Sequence, residues 1–183
     1  MSGPNTPAAR RAVAEARGLA EAELEVEWLV GARVPGLAVF RCERRPRPGQ
    51  RGAYNAGVIA GETVELDPRR AIERVVRAWQ YDERRPVAAA QVAEVIGFLV
   101  GGSTAATTAL VDPARLAELP AAWHAHVAAP REVVVDGAPA VVFWVAGAFV
   151  EDSAPPFWRV ELAVPADGAP VLRIESLTAV LAR

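Results

Sequence analysis

The sequence predicts an α+β fold in which an antiparallel β-sheet, drawn from strand runs at both ends of the chain, packs on or curves around central helices. Three patterns carry this reading. Apolar and polar residues alternate strictly near the N-terminus, helical periodicity is confined to the middle, and short turns divide the C-terminal third into strand-length segments.

Residues 1–7, with Pro4, Asn5 and Pro7, read as a flexible tail, and residues 8–183 as a single domain. The Ala- and Arg-rich segment 8–20 suits a short helix that depends on docking for its stability. From Glu21 the spacing changes to period two. Glu21, Glu23, Glu25 and Glu27 alternate with Ala22, Leu24, Val26 and Trp28, so one strand face is acidic and the other apolar. Residues 37–45 alternate again, with Arg41, Glu43 and Arg45 on one side and Ala38, Phe40 and Cys42 on the other. A hairpin of these two strands sets the acidic face beside Arg41 and Arg45. The segment 46–52 (PRPGQRG) is a loop, and residues 54–66 return to the sheet with a turn or bulge at Gly61.

Asp67 followed by Pro68 starts a helix, with the carboxylate as N-cap and proline at the first helical position. Ile72, Val75, Val76 and Trp79 form its packed side. Residues 87–100 are apolar almost all round, interrupted by Gln91 and Glu94, which marks a covered central helix ended by Gly101 and Gly102. Asp112 and Pro113 open a further helix, kinked or restarted at Pro120, that runs to about residue 129 with Leu116, Leu119, Trp123 and Val127 buried. Strands follow at 132–135, 138–150, 157–164 and 171–181, the first two joined by the two-residue turn Asp136-Gly137. Closing the last hairpin over Ala166, Asp167 and a left-handed Gly168 sets Glu161 opposite Arg173 and Arg159 opposite Glu175 on an exposed face. Trp158, Val160, Leu162, Leu172 and Ile174 then share the core face.

Of the 183 residues, 52% are hydrophobic and 23% charged, with a formal charge of -2, which excludes a disordered chain and argues against bulk nucleic-acid affinity. All 20 basic residues are arginine, a bias that GC-rich codons produce without selection for phosphate binding. The single cysteine forms no internal disulfide, the N-terminus lacks an apolar signal segment, and no run of about twenty apolar residues occurs. These features point to a soluble, cytoplasmic protein with no membrane span.

Candidate chemistry is sparse. His124 and His126 make an H-x-H pair, but residues two apart on a helix point in different directions, so the expectation is no metal and no cofactor. Cys42 falls on an apolar strand face, where a thiol is inert core. Glu94 is the one candidate acid-base residue, because a carboxylate on an apolar helix either marks an exposed stripe or carries a raised pKa. Tyr54, Trp79, Trp144 and Trp158 are either core or the lining of an apolar pocket in the curved sheet. Arg41, Arg44, Arg45, Arg47 and Arg51 cluster about a Pro/Gly loop that is either a solvated hairpin tip or a seat for an acidic partner. The helix pair over 67–80 and 86–100 mimics a helix-turn-helix, yet the second helix has almost no polar side chains for base edges.

No nucleophile-base series, phosphate loop or dinucleotide fingerprint occurs. The sequence therefore favours a non-catalytic cytoplasmic module that binds or regulates a protein partner, with a homo-oligomer left open. The alternative is a small-molecule-binding protein or small enzyme with Glu94 and aromatic side chains in a pocket.

Overall fold

The structure is a computed structural model and describes residues 7–30, 34–45, 54–80, 87–100, 108–109, 116–117, 121–146, 157–166 and 168–177. The chain is α+β with antiparallel pairing throughout, and it divides into two compact units. Residues 1–85 with 98–104 form the first unit, and residues 86–97 with 105–183 form the second. The strand runs at the two ends of the sequence therefore build two sheets rather than one. Short connections let consecutive strands pair with their own neighbours, so each run closes locally. The expected tail lies outside the described residues except for Pro7.

In the first unit, α1 (Pro7–Arg17) buries Ala9, Val13 and Ala14, and Gly18 ends it at φ +63°. A left-handed residue there is the usual helix stop, which glycine adopts without steric cost. The alternation beginning at Glu21 does not start a strand at once. Glu21–Glu23 is a 3₁₀ turn, joined to α1 by an Arg11–Glu21 ion pair of 3.2 Å, and β1 covers Leu24–Trp28. The sheet continues with β2 (Ala38–Arg44), β3 (Tyr54–Ala60) and β4 (Thr63–Glu65) in the order β1-β2-β3-β4. Gly61, at φ +58°, makes the β3–β4 turn expected from the sequence. One face packs under α1, where Val13, Leu24, Phe40, Cys42 and Ile59 form a cluster. The other carries Val39, Ala56 and Val58, all buried as well.

That second face differs from the expectation of a solvated charged surface. Glu27 does lie opposite Arg41, but Glu25 lies opposite Glu43, and both Arg41 and Glu43 are only 8% exposed. The α2 helix (Pro68–Gln80) packs on β3 and β4, capped as anticipated by Asp67, whose Oδ1 accepts the Arg70 amide at 2.9 Å. The next helix, α3 (Ala89–Val100), has residues 89–97 in the second unit and 98–100 in the first; it is buried from Val92 to Leu99 except at Glu94, which like Gln91 is half-buried. No helix among the described residues is long and apolar enough to cross a membrane.

The second unit holds a sheet in the order β5-β7-β8-β9, with β6 also paired to β7. Its strands are β5 (Thr108–Ala109), β6 (Arg131–Val135), β7 (Ala138–Ala146), β8 (Phe157–Ala163) and β9 (Val171–Ser176). β5 is absent from the sequence reading because two residues carry no periodicity. The β6–β7 turn has Asp136 at φ 51° and Gly137 at φ 81°, the paired left-handed conformation that matches strand twist. Helix was expected through residue 129, but Ala121–Trp123 is a 3₁₀ turn followed by further turn, with Trp123 and Val127 still buried. A segment this short between two prolines cannot repay helix nucleation, so burial of its apolar residues decides its shape.

Candidate functional site

The β8–β9 register is the one read from the sequence: Glu161 faces Arg173 and Arg159 faces Glu175. The ladder stops at Ala163 opposite Val171, before Pro165 and Pro170, which cannot pair as central-strand residues do. Gly168 is not left-handed, because the connection is longer than three residues. Nor is the charged face fully exposed. Glu161 is 5% exposed and lies between Arg159 at 2.9 Å and Arg173 at 3.1 Å. Arg173 also reaches Asp136 at 2.9 Å, while Arg159 reaches Glu175 at 3.9 Å. The result is one ladder across β8, β9 and the β6–β7 turn, in which a buried carboxylate is matched by two guanidinium groups.

On the same face, beyond the ladder, Trp123, Val127, Val142, Trp144, Phe157 and Leu177 form an apolar cluster, with the Trp123 and Phe157 rings edge to face at 5.3 Å. Arg131 lies over the Trp144 ring at 5.6 Å. The opposite face is mainly apolar, with Glu132 on β6 and Ser176 on β9 as polar residues at its margins. Phe143, Val145, Val160 and Leu162 are buried at its centre, but Val134 on β6 is 75% exposed and Ile174 on β9 is 51% exposed. The shared face of Leu162, Leu172 and Ile174 was legible in the sequence. Ile174 was assigned to the core, and the structure corrects this, because β9 has a sheet neighbour on one side only among the described residues.

Of the four aromatic residues considered for a pocket, Tyr54 and Trp79 belong to the first unit, and Trp144 and Trp158 to the second. Trp144 pairs with Arg159 and Trp158 with Val145, so these two tryptophans lie on opposite faces of one sheet and cannot line a common cavity. Trp144 is core. Trp158 and Trp79 are half-buried. Glu94 is half-buried on α3, placed between the two alternatives its sequence position allowed.

The arginine cluster also separates. Arg41 is buried, its Nε donates to the Phe98 carbonyl oxygen at 2.9 Å, and its guanidinium lies 4.0 Å from the Phe98 ring centre. It is therefore a packing residue of the first unit and not part of an exposed cluster. Arg44 is exposed and pairs with Glu23 at 2.7 Å, and Arg45 is exposed with its amide donating to the Glu23 carbonyl oxygen. Arg47 and Arg51 lie outside the described residues.

Cys42 sits in the α1-facing cluster, where burial pushes its thiol up to about 11 against a smaller opposing pull from Arg17. His124 and His126 are both exposed on the turn after Trp123. Among the described residues no three His, Cys, Asp or Glu side chains converge as a metal site would require. Comparisons with protein-family models, with curated proteins and with solved structures gave no match. The second sheet thus presents a mainly apolar face with exposed margins, backed by a charge ladder.

Proposed function

We propose that this chain is a non-catalytic, cytoplasmic module that binds a protein through the apolar face of its second sheet. The observation that carries the reading is the exposure of Val134 and Ile174, 75% and 51%, on one face of the same sheet. Large aliphatic side chains left open at both margins of a face whose centre is buried gain stability when a partner removes them from water, at about 25 cal/mol per Å² of apolar surface. The charge ladder on the reverse face holds β8 to β9 and keeps the presenting strands in register.

The test uses purified full chain, wild type and Val134→Lys, immobilised for capture from native cell extract. Val134 is exposed, so the substitution leaves folding intact. A partner held stoichiometrically by the wild type and lost at least tenfold by Val134→Lys supports the reading. Identical retention by both proteins overturns this face as the binding surface. If Arg44, Arg45 and Arg47 contribute, the partner is acidic, and their replacement by Ser weakens capture and its salt dependence without lowering thermal stability.

A further inference from the structure

We infer that β9 pairs edge to edge with β9 of a second copy of this chain, in a two-fold antiparallel register centred on Ile174. The inference rests on the binding-module reading and names one partner for the same sheet. Its first support is the direction of the main-chain groups. The Leu177 amide donates to the Phe157 carbonyl at 2.8 Å, so Leu177, Glu175 and Arg173 aim their main-chain groups at β8, and Leu172 and Ile174 aim theirs away from it. On that outer side β9 has no strand neighbour among the described residues. An exposed apolar edge strand is a ready template for another strand.

The second support is charge complementarity, which selects the partner and the register. Side chains that face each other in an antiparallel pair must lie on the same side of the sheet, so a two-fold pairing of β9 with itself centres on a residue and not between two. Centring on Arg173 opposes like guanidinium groups, and centring on Glu175 opposes like carboxylates. Centring on Leu172 leaves both charges facing apolar residues. Only centring on Ile174 sets Arg173 across from the partner subunit's Glu175, and by symmetry repeats that pair. The same register makes the two Ile174 residues exchange both main-chain hydrogen bonds and brings their exposed side chains together on the apolar face. Main-chain direction, apolar exposure and charge thus agree on one arrangement, which joins the two sheets into one.

Sedimentation equilibrium of the full chain at about 0.15 M salt, where the Debye length is about 8 Å, tests this. The expected result is a two-chain mass for the wild type and a single-chain mass for Ile174→Lys, with unchanged circular dichroism because Ile174 is exposed in the monomer. Glu175→Gln provides a second, milder variant, expected to raise the dimer dissociation constant severalfold and to flatten its salt dependence. In the wild type, the Ile174 amide should exchange at least tenfold more slowly at high than at low protein concentration. A single-chain wild type, or an Ile174→Lys variant that remains a dimer, overturns the inference. Either outcome is distinguishable from failure of the binding-module reading, which is decided separately by Val134-dependent capture of another protein.

Discussion

Arg41 and Glu161 show how charged residues in strand positions can be buried without being isolated. The Arg41 guanidinium has a carbonyl and a ring to meet at Phe98, and the Glu161 carboxylate has two arginines. Replacing Glu161 with Ala leaves Arg159 and Arg173 without their shared acceptor and should destabilise the fold by about 1–3 kcal/mol in urea titration. Arg41→Lys should also destabilise, since an ammonium cannot both stack on Phe98 and present a planar N–H. Cys42 gives a pH signature. Its thiol is held protonated in the folded state up to about 11, whereas the ordinary value is 9.0. The folded state thus binds more protons between these values, so this contribution to stability is complete below pH 9 and is lost as pH rises toward 11. Cys42→Ala should flatten the decline in melting temperature over that window; an unchanged slope in the variant would remove Cys42 as its cause.

Among the elements, local chemistry was legible at one helix cap and two hairpin turns, though not at the β8–β9 connection, where Gly168 is not left-handed. Asp67-Pro68, Gly61 and Asp136-Gly137 each end or begin an element where the sequence places the boundary. Asp67→Ala should cost about 1 kcal/mol through loss of the N-cap bond to the Arg70 amide. A sharper test is Gly57→Ala. A β-carbon there would collide with the Glu65 main-chain oxygen and crowd Phe40, so the first sheet should lose about 1–3 kcal/mol or more, read as a lower urea midpoint. Less legible was the segment around Trp123. Its apolar spacing imitates a helix, but the same spacing is satisfied by a compact turn that buries Trp123 and Val127. Periodicity reports which residues are covered more reliably than it reports the backbone that covers them. Arg41 shows the converse: alternation assigned its face correctly, but no local pattern reveals that Phe98, distant in sequence, lies over it.

For the whole molecule, the strand-helix-strand order gave the α+β class, while the division into two sheets was not legible. Nothing in the alternation of residues 21–45 or 157–176 states whether distant strands share one ladder, because pairing partners are set by connection and edge geometry. The same limit applied to the candidate site. Ile174 alternates as a core residue does, and only its place on a marginal strand exposes it. Under the proposed reading the chain binds a protein and does not catalyse, and Glu94 is the residue through which catalysis would most readily enter. The direct measurement is product formation from a metabolite library by the wild type and by Glu94→Gln, run beside partner capture by both. The expected result is no turnover from either protein and equal capture by the two. Reproducible wild-type turnover that disappears in a folded Glu94→Gln variant would contradict it.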